Sequence, residues 1–164
     1  MTEPEQARLG ALQRQMEEGS GYAILQSTRP QTVGVGLSDS PAAQLAWIVE
    51  RFKEWTDPSA ASLEDAVDRD ALLTNVSVYW LTGTATSSAR LYREGRASWG
   101  QQTVRSEVPS GVAVFPGDFG IRTIAERDDN VVHWSEFDRG AHFPAMEVPE
   151  LLVGDVRTFF RPLR

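Results

Sequence analysis

The apolar pattern predicts an α/β chain with its helices first, and three observations carry that reading. Up to Glu94 the apolar residues recur at helical spacing, as in Leu45, Ile48, Val49 and Phe52, which marks one buried helix face. Two short apolar runs appear only later, Val112-Ala113-Val114-Phe115 and Val131-Val132-His133-Trp134, and both read as strands. A helix-patterned stretch over 123–127 separates them, and a strongly signalled helix over 149–160 follows. The order is helices, then β-α-β-α. Two strands are too few to bury their own faces, so the tail reads as the last part of a larger parallel sheet. The predicted division is a helical region over 1–107 and a β-α-β-α part over 108–164.

A length of 164 residues suits one domain or part of a larger one. A hydrophobic share of 41% with five Trp and seven Phe is enough for a packed core. The formal net charge of -7 argues against nucleic-acid binding, which needs a clustered basic surface. Cysteine is absent, so disulfide and thiolate chemistry are excluded, and two histidines are poor material for a transition-metal site. The start, Met1-Thr2-Glu3-Pro4-Glu5-Gln6, is acidic and polar and shows no secretory signal pattern. No apolar run approaches the roughly 20 residues that span a bilayer. The expectation is a cytoplasmic protein with no membrane contact.

In chain order, residues 2–18 read as a helix. Thr2 and Glu5 have capping-box spacing, Pro4 suits the first turn, and Gly19 marks the stop. Leu9, Leu12 and Met16 give it a narrow stripe, as on a surface or lid helix. After Gly19-Ser20-Gly21 the segment from Tyr22 to Gln26 follows. Thr28-Arg29-Pro30 ends it, because a residue before proline is pushed out of the α region. Residues 30–37 read as a short connecting segment. Ser40 as cap and Pro41 as first helical residue start a helix that ends near Trp55. Residues 59–68 read as a polar loop. Asp68 or Asp70 caps a further helix through Leu72, Val76, Tyr79 and Trp80, and Thr82-Gly83-Thr84 interrupts it. Residues 85–94 read as one more helix and 95–107 as a polar linker. In the last helix Leu151, Leu152, Val156, Phe159 and Phe160 form an apolar face fit to cover a sheet.

The stretch richest in chemistry runs from Arg139 to Glu150. Gly140 and Ala141 are small enough for a sharp turn, which places His142 at the carboxyl edge of the second strand. Ligands collect at that edge in open α/β sheets. The first strand ends in Pro116-Gly117-Asp118. An acid after one strand and a histidine after the next is the order of the last two members of a hydrolytic triad. From the residues alone, His142 could equally be a turn histidine and Asp118 a turn former. His133 lies within a strand run and reads as structural. Tyr79 shares a face with Leu72 and Val76, and Tyr22 stands at a helix start, so each could be a packing tyrosine. Glu147 and Glu150 read as first-turn acids favoured by the helix dipole.

Five ordered blocks resemble the epoxide hydrolase family, in its microsomal-type branch within the α/β-hydrolase fold, over nearly the whole chain. Gly21-Tyr22 with Thr28-Arg29-Pro30-Gln31-Thr32-Val33-Gly34 is similar to the family's lid segment. Asp39-Ser40-Pro41 followed by Leu45-Ala46-Trp47-Ile48-Val49-Glu50-Arg51-Phe52 is similar to its next lid helix. Tyr79-Trp80-Leu81-Thr82-Gly83-Thr84 resembles its second tyrosine motif, and Phe115-Pro116-Gly117-Asp118 its acid turn. Gly140-Ala141-His142-Phe143, with Glu147 and Pro149-Glu150-Leu151-Leu152, resembles its histidine turn, where Ala141 replaces the usual second glycine.

The resemblance implies a partial α/β-hydrolase fold and hydration of a small-molecule epoxide to a vicinal diol, a detoxification chemistry. In that chemistry an aspartate opens the epoxide to give an alkyl-enzyme ester. Two lid tyrosines stabilise the epoxide oxygen as it becomes an alkoxide. A histidine oriented by an acid then activates the water that splits the ester. Carried over by position, the oxygen donors are Tyr22 and Tyr79, the base is His142 and its orienting acid is Asp118. The reaction needs no metal and no organic cofactor. The Gly-x-Asp nucleophile turn and the His-Gly-x-Pro segment of the family do not occur among these residues. The expectation is the C-terminal part of an epoxide hydrolase, inactive alone and in need of a nucleophile-bearing half, such as a separate partner chain. The alternative is a non-catalytic remnant or binding module that keeps the lid pocket. The paired tyrosine motifs argue against a haloalkane or ester hydrolase.

Overall fold

The computed structural model describes residues 2–96 and 104–163. In chain order its helices are α1 (Glu3–Glu18), α2 (Gly21–Thr28), α3 (Pro30–Asp39), α4 (Pro41–Trp55), α5 (Leu63–Ala66), α6 (Arg69–Thr82) and α7 (Ala85–Gly95). Then come β1 (Ser106–Val114), α8 (Arg122–Asp128), β2 (Asp129–Glu136), α9 (Pro144–Glu147) and α10 (Pro149–Phe160). The chain groups into two compact units that interleave in sequence. One comprises Met1–Gln13, Trp55–Val67 and Thr103–Arg164, the other Arg14–Glu54 and Asp68–Gln102.

The second unit is helical, and local signals set most of its boundaries. Ser40 Oγ accepts the Ala43 N–H at 3.2 Å and so caps α4. Asp68 accepts the Ala71 N–H at 2.8 Å at the start of α6. Gly83 ends α6 in the left-handed region at φ 64. There the Gly83 N–H returns to the Trp80 carbonyl (3.2 Å) and the Thr84 N–H to the Tyr79 carbonyl (3.1 Å), a closure that only a residue tolerant of positive φ permits.

The segment over 30–37, expected to be a short connection, is the full helix α3. Its glycines lower intrinsic helix propensity, but packing on α7 overrides that preference. A Cβ on Gly34 would lie 2.6 Å from the Thr86 Cα, so glycine is what lets the two helix backbones approach. Ala85 and Ala89 on α7 are buried, as are Leu37, Phe52, Leu72 and Val76 elsewhere in this unit.

The first unit holds the sheet. β1 and β2 pair in parallel from Ser106↔Asp129 to Val114↔Glu136, with register shifts between Ser106 and Pro109 and between Ser110 and Gly111, and α8 makes the crossover. A Cβ on Gly111 would sit 2.8 Å from the Phe159 ring, so glycine makes room on β1 for the aromatic end of α10. Val67, Val114, Phe115, Ile121, Ala141 and Val148 are buried here.

The capping box forms as expected, with the Thr2 N–H donating to Glu5 Oε2 at 2.7 Å. Glu5 is buried and also accepts the Thr123 N–H at 3.2 Å, so one carboxylate starts α1 and anchors α8. Arg8 donates to the Gly120 carbonyl and pairs with Glu136 at 2.6 Å.

The α/β expectation holds, with helices followed by two parallel strands and their helices. The loop expected over 59–68 contains the single turn α5, capped by Ser62. Of the linker expected over 95–107, residues 97–103 lie outside the described residues, while Ser106 and Glu107 already belong to β1. No described helix is long and apolar enough to cross a membrane.

Candidate active site

Both predicted turns leave the carboxyl edge of the paired strands. Val114 and Glu136 are partners at that edge, and the Phe137 N–H donates to the Val114 carbonyl at 2.9 Å, extending the ladder by one bond. In the acid turn the Asp118 N–H returns to the Phe115 carbonyl at 3.0 Å, with Pro116 and Gly117 (φ 83) between them. Proline followed by a positive-φ glycine is the composition of a type II turn. The Asp118 carboxylate folds back on this turn and accepts the Phe115 N–H at 2.8 Å. The Phe115 ring stacks on Phe137 at 4.6 Å.

The histidine turn depends on Gly140 for two reasons. Its φ is 77, and a Cβ there would lie 2.4 Å from Val148 Cγ2. Ala141, the next residue of the turn, is buried, and no non-glycine residue among those described has positive φ. Alanine therefore fits without backbone strain. His142 is exposed. Its backbone N–H donates to the Trp55 carbonyl at 3.1 Å, and its ring lies edge-on to both Trp55 and Phe143, with centroids 5.0 Å away in each case. Trp55 and Phe143 stack at 6.3 Å. Among the described residues no hydrogen bond is made by the imidazole, and none joins Asp118 to His142. The two turns share a sheet edge, but the acid is engaged by its own turn.

Two carboxylates that sequence reading assigned no site role hold the histidine turn. Glu147 accepts the Phe143 N–H through Oε1 (3.0 Å) and the Asp57 N–H through Oε2 (2.7 Å). Asp57 accepts the Gly140 N–H through Oδ2 at 2.8 Å, while its Oδ1 accepts the Ser59 N–H and hydroxyl at 2.8 and 2.6 Å. Glu147 thus does more than favour a helix dipole, as it ties two distant backbone segments together. The available signal was local: Asp57-Pro58-Ser59 read only as a helix stop. Glu150 forms an exposed pair with Arg139 at 2.9 Å.

The Ser59 hydroxyl, and then the backbone N–H groups of Ser59 and Gly140, hold the Asp57 carboxyl below its usual pKa. Because the folded value is the lower one, this stabilisation is present above the unfolded carboxylate range, near pH 4. It is lost as pH falls through the folded value. Glu5 and Glu136 are lowered as well, Glu5 mainly by the Thr2 N–H and Glu136 mainly by Arg8. Urea midpoints measured from pH 7 down to pH 3 should fall steeply below about pH 4, and Asp57→Asn should flatten part of that fall. An unchanged slope in Asp57→Asn would show that this carboxylate does not contribute.

In the helical unit, Tyr22 near the start of α2 is half-buried. It meets Tyr92 edge-on at 5.8 Å, and the Arg51 guanidinium lies over its ring at 5.0 Å. Burial first, then the neighbouring Tyr92 to which it is hydrogen-bonded, raise its pKa above the usual value. Tyr79, on α6, is also half-buried, and its hydroxyl makes no hydrogen bond among the described residues. No described hydrogen bond or ring contact joins Tyr79 to Tyr22.

His133 reads as structural. Its Nε2 lies 2.8 Å from Asp155 Oδ1 and 3.1 Å from Ser135 Oγ, tying β2 to α10. A relay would need the acid on one ring nitrogen and the hydroxyl on the other, whereas here both use the same one. No group of three or more metal-binding side chains occurs among the described residues.

No family model matches the chain. A Stigmatella aurantiaca protein assigned by name to the epoxide hydrolases is 44% identical over 163 residues, which is 98% of this chain and 37% of that protein. Epoxide hydrolase 1 of Sus scrofa is 40% identical over 152 residues, 85% of this chain and 34% of that protein. The solved structure of Aspergillus niger epoxide hydrolase superposes with a TM-score of 0.84 at 30% identity, covering 100% of this chain and 41% of that one. The chain therefore spans little more than a third of the length of these curated relatives.

Proposed function

The chain belongs to the epoxide hydrolase family and carries the C-terminal part of its α/β-hydrolase fold, and on that premise we propose that it completes an enzyme hydrating epoxides to vicinal diols. The observation that carries the proposal is the pair of turns at one strand edge, an acid after β1 and a histidine after β2, each built on a positive-φ glycine. The attacking aspartate comes from a nucleophile-bearing half, whether in the same polypeptide or on a partner chain. Its carboxylate forms a bond to an epoxide carbon as the ring C–O bond breaks, leaving an ester and an alkoxide. Tyr22 and Tyr79 donate to that oxygen as charge develops. His142 takes a proton from water and the hydroxide adds to the ester carbonyl. The acyl C–O bond then breaks, the imidazolium and the newly formed carboxylic acid pass their protons to the two diol oxygens, and the aspartate carboxylate is restored as the diol leaves. Asp118 serves as the orienting acid.

Exposed apolar residues on the sheet unit, among them Val108 on β1, Val132 on β2 and Val153 and Val156 on α10, suit packing against the rest of such a sheet. A second reading, a non-catalytic module, has one observation on its side: the Asp118 carboxylate is engaged by Phe115 and not by His142. One assay separates the two. With the front half of a related enzyme supplied by fusion or as a partner chain, a small aryl or alkyl epoxide should be converted to its diol. An assembled, folded complex that forms neither ester nor diol supports the module.

A further inference from the structure

Resting on that proposed function, we infer that Asp57 and Glu147 are positioning residues for His142, acting through the backbone of its turn. Among the described residues the imidazole makes no hydrogen bond, so its location is set by the main chain and by the rings of Trp55 and Phe143. That main chain is fixed at three of four successive residues. Gly140 is held by Asp57, His142 by the Trp55 carbonyl, and Phe143 by Glu147. The second oxygen of Glu147 holds the Asp57 N–H, which closes the arrangement between the turn and the segment from Trp55 to Asp57. Ionised acceptors make the stronger class of hydrogen bond, and Glu147 is half-buried, where water competes less. The bonds to Asp57 and Glu147 join residues 83 and 90 positions apart, so they fix tertiary placement and not merely a local turn.

Glutamine at 147 offers one acceptor oxygen, and its amide nitrogen would face a backbone N–H. Asparagine at 57 must choose between Gly140 and Ser59. Either change releases one anchor while nearly preserving size. A displacement of about 1 Å in a catalytic group can reduce a rate about 100-fold.

The test uses the assembled enzyme with histidine labelled only in this chain, which has two histidines and so gives separable ring signals. Stopped-flow and intact-mass measurements follow ester formation and ester loss separately. Asp57→Asn and Glu147→Gln should leave ester formation unchanged and slow ester hydrolysis about 100-fold. They should also move the His142 ring signals away from their Trp55-shifted positions while leaving His133 in place. Glu147→Asp keeps the charge with a shorter reach and should fall between, which gives a usable variant if an amide variant does not fold. Unchanged ring signals with unchanged hydrolysis would overturn the inference, as would equal slowing of both steps. If the wild type forms no ester at all, the proposed function has failed, and the His142 signals alone then decide the positioning role.

Discussion

Replacing His142 with alanine in the assembled enzyme should arrest it after a single turnover, with one equivalent of ester on the nucleophilic aspartate. The proposed base acts on water only in the second step, so the first should keep its rate. General-base assistance contributes about 10²–10⁴-fold, and loss of that order makes the ester long-lived enough to see as a mass increase of one substrate. The geometry fits a separable role. The ring of His142 is exposed and lies against aromatic edges, and among the described residues its hydrogen bonding is through the backbone. Its removal should therefore leave the turn in place, because Gly140 and Phe143 keep their own anchors. Asp118→Asn should give a milder version of the same arrest. Asparagine can still accept the Phe115 N–H with its single oxygen but lacks the charge to orient and stabilise an imidazolium. Retention of full multiple turnover by His142→Ala would remove the histidine from the mechanism.

What the sequence made legible is what short range decides. The Thr2/Glu5 capping box, the Ser40 and Asp68 caps and the Gly83 stop all use partners within five residues, and each forms. The last helix runs over the residues its apolar face marked, Pro149–Phe160. Helix α3 stayed hidden because its reason lies in the approach of Gly34 to Thr86, across a gap in sequence that periodicity does not sense. The opening of β1 was hidden likewise: Ser106 and Glu107 look like linker and become strand only by pairing with β2. In the candidate site, the order of acid and histidine was readable, and so was the need for Gly140. Glu147 stood within the histidine-turn block, but its anchoring role and that of Asp57 were not readable, since their partners are backbone N–H groups, which every residue but proline carries and which leave no mark in a sequence. The engagement of Asp118 by Phe115 is equally a matter of side-chain direction that residue order does not encode.

The tyrosine pair should show the opposite kinetic signature. Tyr22→Phe and Tyr79→Phe should slow ester formation and leave hydrolysis of a preformed ester unchanged, because an alkoxide develops only while the epoxide opens. Losing one preorganised donor at an oxyanion costs about 3–4 kcal/mol. With two donors sharing the charge each single change should cost less than that, and the double change clearly more than either. The two positions differ in support. The Tyr22 hydroxyl is hydrogen-bonded to Tyr92 and the Arg51 guanidinium covers its ring, whereas the Tyr79 hydroxyl has no protein partner among the described residues. Burial raises the Tyr22 pKa above its ordinary value near 10. The neutral donor form thus persists to higher pH than in a solvated tyrosine, and ester formation should show no alkaline decline from this group below about pH 10. Pre-steady-state traces of these variants against wild type decide the matter. If Tyr79→Phe accumulated ester while His142→Ala did not, the two roles would be the reverse of those assigned.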